Sequence, residues 1–288
     1  MRAGEAVRNH APVTQLLVKL LLAPSFVVGA SLTARRFGPR IGGLVAGLPV
    51  VAGPILLAYA LAHGSRFAAG AAAGTLLGLV SLIAFVVVYG RLAGHLSWSA
   101  SMIAGWCAFA LCTAVFSALT IPAGAGVALA LLALAGGLAA LPRPRRAPPA
   151  TVPPPRWDLP LRAGCAMALV LTLTAIAGWL GPQLSGLLAP FPIIATVLAI
   201  FTHAQRGVDE TLRLLRGMVS GFGAFALFCF TLAVSLRALG TAAGFVLAAA
   251  VALLTQSLVF AATHRRAAPL AEAQLATAEP ELSAVRAR

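Results

Sequence analysis

The chain has 288 residues, of which 60% are apolar and 10% charged, with a mean hydropathy of +0.95. A soluble globular domain carries about 25% charged residues, so this composition excludes one and describes an all-α, polytopic membrane protein whose first partner is the lipid bilayer. The 21 Lys and Arg against 7 Asp and Glu give +14, a balance that on a soluble chain would suggest nucleic acid; on this one it reads as topology-setting loop charge, and no nucleic-acid partner is expected.

Nine apolar stretches follow in order: Val13–Ala34, Ile41–Ala62, Phe67–Gly90, Ser97–Leu119, Pro122–Leu141, Leu161–Leu180, Leu184–His203, Leu212–Leu236 and Thr241–Thr263. Each is long enough to span a bilayer at roughly 20 residues per crossing. Lys19 interrupts the first, and Arg35 and Arg36 follow it where a cleavage site would want small residues, so it is read as a retained helix. Between the fifth and sixth stretches, residues 141–160 hold eight prolines in twenty positions, which predicts an extended, solvated linker. Residues 267–288 are Ala-rich, mixed in charge and without apolar periodicity, and are read as a disordered tail.

An internal duplication organises these stretches. Shifting the chain by 143 residues superposes 38–52 on 181–195 with seven identities in fifteen: Gly38/Gly181, Pro39/Pro182, Gly43/Gly186, Leu44/Leu187, Ala46/Ala189, Pro49/Pro192 and Ala52/Ala195. The same shift places Gly74 and Gly78 on Gly217 and Gly221, a GxxxG in each third helix, and Lys19 on Arg162. Helices 1 to 4 therefore correspond to helices 6 to 9, with helix 5 extra. The expected units are 1–120, a four-helix repeat; 121–160, the linker helix and a Pro/Arg-rich cytoplasmic loop; 161–266, the second repeat; and the tail 267–288. An odd number of crossings between the units makes the second repeat inverted. Loop charge agrees, because a chain with its N-terminus outside and C-terminus cytoplasmic places five Lys and Arg on one side and sixteen on the other.

Inverted repeats in transporters place their substrate site where the repeats meet, beside interrupted helices. Helix 2, with Gly47, Pro49, Gly53 and Pro54, and helix 7, with Pro190 and Pro192, are the candidates. Each proline removes a backbone donor and frees a carbonyl one turn earlier, and that carbonyl must meet water, a side chain or a solute. Thr196 could add a hydroxyl, while Gly53, the equivalent of Thr196, supplies space. Lys19 and Arg162 are the basic residues nearest span interiors, read first as snorkelling side chains and otherwise as anion attractors. Gly74, Gly78, Gly217 and Gly221 are read as helix-packing positions, with a homodimer as a further possibility. All seven carboxylates fall in flanks, loops or the tail, which argues against proton-coupled cation export.

No catalytic set is found, because no histidine pairs with an acid beside a Ser or Cys nucleophile. Cys107, Cys112, Cys165 and Cys229 sit in apolar spans without a CxxC and read as packing residues; His10, His63, His95, His203 and His264 have no ligand partners in sequence. No metal, no cofactor and no enzymatic activity are expected.

Residues 187–203, Leu-Leu-Ala-Pro-Phe-Pro-Ile-Ile-Ala-Thr-Val-Leu-Ala-Ile-Phe-Thr-His, resemble the central segment of the GlpM-like family of small bacterial inner-membrane proteins. There an Ala-Gly-Leu stretch leads into Phe-Pro and an apolar helix ending near a histidine. The resemblance covers about twenty residues of the second repeat and implies two such units fused through an extra helix, in a bacterial plasma membrane. The family name is associated with alginate production, and no catalytic residue is carried over. The first repeat departs from the pattern, with Gly47-Leu48-Pro49 where the second has Pro190-Phe191-Pro192. The fused architecture is also similar to that of small multidrug-resistance exporters, whose membrane-embedded glutamate this chain lacks. The expectation is a permease for a small neutral or anionic solute; the alternative is a non-transporting scaffold subunit of an envelope or polysaccharide assembly.

Overall fold

The structure, a computed structural model, describes residues 21, 24–119, 121–145, 155–187 and 191–286, with side chains except at 62, 173–187 and 263–286. Among these residues the chain is entirely helical, without strands.

Helix α1 (24–37) ends at Gly38, whose φ of 91° lets Pro39 start α2 (Pro39–Ala46) in a new direction. Proline suits a first helical position because its missing N–H has no intrahelical partner there. Only eight residues later α2 stops, and α3 (Ala52–His63) begins beyond the break at 47–51. Pro49 causes the stop: it has no donor for the Val45 carbonyl, which turns instead to the Leu48 N–H at 3.1 Å. Gly64 (φ 86°, ψ 167°) joins α3 to the long α4 (Ser65–Leu92). The Ser97 hydroxyl accepts the Ala100 N–H and starts α5 (Trp98–Ser117). Helix α6 (Ala123–Ala140) follows, and its last carbonyls are capped from outside by Arg216, which donates to Leu138 and Leu141 at 3.1 and 2.9 Å.

Helix α7 (Asp158–Leu187) keeps a helical backbone through 179–185, where the sequence predicts a loop. A lone proline, Pro182, removes one donor, which a helix tolerates; the described helix stops short of Pro190 and Pro192, two positions apart. Helix α8 (Ile193–Arg286) is jointed at Gly207 (φ 81°, ψ −174°) and Gly240 (φ 76°, ψ 178°). Its last stretch, 267–286, has a helical backbone where the sequence reads a disordered tail, as its many alanines permit.

The core is built around α8, which touches every helix from α2 to α7. Its closest partner is α2. A Cβ on Gly43 would lie 2.0 Å from the Leu214 carbonyl oxygen, and one on Gly217 would lie 2.1 Å from that of Arg40. Gly47 and Gly221 face each other in the same seam, their Cα positions close enough to exclude any side chain. Absent side chains are what let two backbones meet, as in membrane helix pairs generally. The Gln256 amide closes the seam by donating to the Leu44 carbonyl at 2.8 Å.

Among the described residues, four helices are long and apolar enough to cross a membrane: Ser65–Leu92, Trp98–Ser117, Ala123–Ala140 and the jointed Ile193–Ala262. Helix α4 is largely buried, whereas α5, α6 and the end of α8 expose residues such as Leu111, Leu132 and Val246, each near 70%. Apolar faces of that extent belong against lipid tails, so the protein is membrane-embedded.

Candidate functional site

The two proline breaks meet. Ala46, Leu48, Pro49, Val51 and Ala52 of the first and residues 191–195 of the second line one partly open cavity of about 80 Å³, together with Leu82, Met218, Phe222 and Phe225. Ala52 and Ala195, one of the seven identical pairs at the 143-residue shift, both line it. Among the described residues no charged side chain lines it.

Backbone bookkeeping shows which polar groups the cavity holds. The carbonyls at the end of α2 are taken: Gly43 and Leu44 accept from Gly47, and Val45 from Leu48. The starts of α3 and α8 are different. The first turn of α3 has no side-chain cap, and both helices begin at cavity-lining residues, Ala52 and Ile193. The Gly53, Ile193 and Thr196 N–H groups are paired with the Pro49, Phe191 and Pro192 carbonyls, so it is the positive ends of two helix dipoles that converge on the cavity.

A second, larger space lies one helix turn away. A groove of about 640 Å³ runs between α5, α7 and the start of α8, walled by Trp98, Trp106, Trp157, Cys165, Thr196 and Gln205 among others. Trp106 forms the partition between groove and cavity: its indole N–H donates to the Thr196 hydroxyl at 3.0 Å, and its ring lies 5.5 Å from Phe191 at a tilt of 56°. Phe109 holds Phe191 from the other side in an edge-on contact.

At one end of the bundle the arginines gather around a buried carboxylate. Asp158, fully buried, accepts from Arg35 Nη2 at 2.6 Å, from Arg162 Nε at 2.9 and 3.0 Å, and from Gln205 Nε2 at 2.7 Å. Burial pushes its carboxyl up, but the hydrogen bonds from Arg35, Arg162 and Gln205 outweigh it and hold the group below the ordinary range. Arg162 also lies over the Phe201 ring at 4.9 Å. Arg91 donates to the Ala140 carbonyl, Asp209 accepts from the Arg145 backbone, and Arg213 pairs with Glu210 at the same end.

The predicted site residues separate accordingly. Pro49 and Pro192 line the cavity. Gly47 belongs to the α2–α8 seam instead, and Pro54 sits inside the first turn of α3. Gly53 does not line the cavity; a Cβ there would make an ordinary contact with the Phe228 ring at 3.4 Å. Thr196 faces the groove with its hydroxyl already engaged by Trp106. Arg162 neither snorkels nor stands open to a solute; it is locked on Asp158. Gly217 and Gly221 are in backbone contact with α2, Gly78 is buried, and around Gly74 a Cβ would find open space. Lys19 and Pro190 lie outside the described residues.

Reading the sequence missed Asp158 and Glu210 as buried groups, because both stand at helix ends that sequence alone reads as loop flanks; only the i, i+4 spacing of Asp158 and Arg162 signals the pair. It missed Trp106 altogether, since a tryptophan in an apolar span has no distinguishing pattern. Among the described residues no group of three or more His, Cys, Asp or Glu could hold a metal ion. No protein-family model, curated protein or solved structure matches the chain.

Proposed function

We propose that the protein is a permease for a small neutral or anionic solute, with the cavity between the two proline breaks as the solute position. The observation that carries this reading is the meeting of the break after α2 and residues 191–195, far apart in sequence, around one cavity. At about 80 Å³ the space suits a solute of a few heavy atoms. Two helix starts give it a partial positive character without a fixed charge, which favours an anion or a neutral acceptor over a cation.

The permease reading includes two inverted four-helix repeats within nine crossings. Three features support that arrangement. Gly64 and Gly207, 143 residues apart, share nearly the same backbone conformation. The segments after them, Ser65–Leu92 and 208–239, both run as long helices, and the next helices begin at Trp98 and 241, also 143 apart. The gathering of arginines at one end fits a cytoplasmic face, with the N-terminus outside, in a bacterial plasma membrane.

Water access tests the proposal. In a variant with Cys107, Cys112 and Cys165 changed to Ser and the buried Cys229 to Ala, single substitutions Ala52→Cys and Ala195→Cys are probed with a membrane-impermeant thiol reagent from each side. A permease requires labelling at both positions, with access alternating between faces. If loop cysteines label and neither of these does, the cavity is a dry packing defect and a scaffold role replaces transport.

A further inference from the structure

The groove between α5, α7 and α8 lies outside the solute cavity and has its own chemistry. It is almost wholly apolar along its length, and a groove of about 640 Å³ in a lipid-facing wall fills with hydrocarbon or with an apolar ligand. Its dimensions select between these. From Gln205 at one end to Thr196 at the other is nine residues of α8, roughly 14 Å at 1.5 Å per residue. One leaflet of bilayer hydrocarbon is about 15 Å deep. The groove therefore has the depth of a single acyl chain.

Its mouth is polar, and cationic residues adjoin it in sequence. Trp98 and Trp157, about half exposed, stand at the arginine-bearing end, as interfacial tryptophans do. Arg156 precedes Trp157 and is exposed; Arg206 follows Gln205 but lines a separate pocket with Thr202, Arg35 and Arg162. Gln205 adds a specific feature. Its amide N–H is committed to Asp158, which fixes the orientation of the amide, and its buried Oε1 has no donor among the described residues.

We infer that the groove seats one acyl chain of an anionic, hydroxyl-bearing phospholipid of the phosphatidylglycerol class, taken from the leaflet at the arginine-bearing face. Its phosphate lies toward Arg156, and a headgroup hydroxyl donates to Gln205 Oε1. The chain end then rests on Trp106, the residue whose indole holds Thr196 in the first turn of α8. A lipid in the groove thus bears on the wall of the solute cavity, although the binding itself does not depend on whether a solute passes.

The test uses the full chain with Trp106 as its sole tryptophan (Trp98, Trp157 and Trp179 changed to Phe), reconstituted in phosphatidylcholine vesicles. Mid-chain dibrominated phosphatidylglycerol or dibrominated phosphatidylcholine is titrated in, and Trp106 quenching is followed. The expected result is half-maximal quenching at a several-fold lower fraction of phosphatidylglycerol than of phosphatidylcholine, with roughly five-fold lost in Arg156→Gln. Arg156 is exposed, so the substitution is read on a folded protein. Superimposable curves for the two lipids overturn the proposal, as does a preference unmoved by Arg156→Gln. Thiol labelling at Ala52 and Ala195 is independent of this outcome, so failure of the lipid site and failure of the permease reading are told apart.

Discussion

Replacing Gly217 with alanine probes the contact that holds the two halves of the molecule together. The new methyl would sit 2.1 Å from the Arg40 carbonyl oxygen and about 3 Å from two further backbone atoms of the same residue. Ordinary contact requires a separation larger by about 1 Å. Because the obstructing atoms are backbone, no side chain can rotate away, and α2 must move off α8 as a unit. That shift also loosens Gly43 from Leu214 and Gly47 from Gly221. Overpacking of this kind costs about 3 kcal/mol, and the better helix propensity of alanine returns about 1 kcal/mol, leaving a net destabilisation of about 2 kcal/mol. Gly223, six residues further on, is the control: a Cβ there meets nothing within 4 Å, so Gly223→Ala should stabilise by up to about 1 kcal/mol. The two variants should differ by about 3 kcal/mol in reversible unfolding in mixed micelles, followed by tryptophan emission. Equal stabilities would refute the backbone seam and with it the position of α2.

Three further outcomes are expected. Asp158→Asn leaves Arg162 and Arg35 without their counter-charge and should cost about 3–5 kcal/mol in the same assay. Because the native carboxyl titrates below its unfolded value of about 3.9, its contribution is complete above that pH and is lost as pH falls through the lower native value; an Asn variant should show a flatter acid limb in a pH-stability scan. Trp106→Phe strands the buried Thr196 hydroxyl at about 1–3 kcal/mol, whereas Trp106→Phe with Thr196→Val should recover part of that loss in a double-mutant cycle. Gly64→Ala and Gly207→Ala each force a side chain into a backbone region reserved for glycine, and each should cost about 1–3 kcal/mol; calorimetry showing no loss at either would contradict the two joints.

Helical class and membrane embedding were legible because apolar run length and missing charge act at the level of composition, where local detail averages out. The break at 47–51 was legible for a different reason, since Pro49 acts on its own backbone whatever surrounds it. Gly217 and Gly221 announced a packing face by spacing, yet their partner, Arg40 to Gly47, depends on how α2 is folded back and no periodicity contains that. Gly74 carries the same spacing and lies against open space, which shows that a small-residue pair permits close approach without causing it. The roles of Thr196 and Arg162 were misjudged for a shared reason. Each was weighed by its depth in an apolar run, while its actual position is set by a residue 90 places away in one case and four in the other.

The α2–α8 seam also sets a schedule for synthesis. Gly43 leaves the ribosome 174 residues before Gly217, which at 5–20 residues per second is a delay of roughly 10–35 s. During that interval an eight-residue helix, too short to be stable alone, has its glycine face uncovered in the bilayer. Nascent chains halted between α4 and α8 should therefore be the ones that membrane proteases or insertion chaperones capture, and release should follow the emergence of residues 214–221.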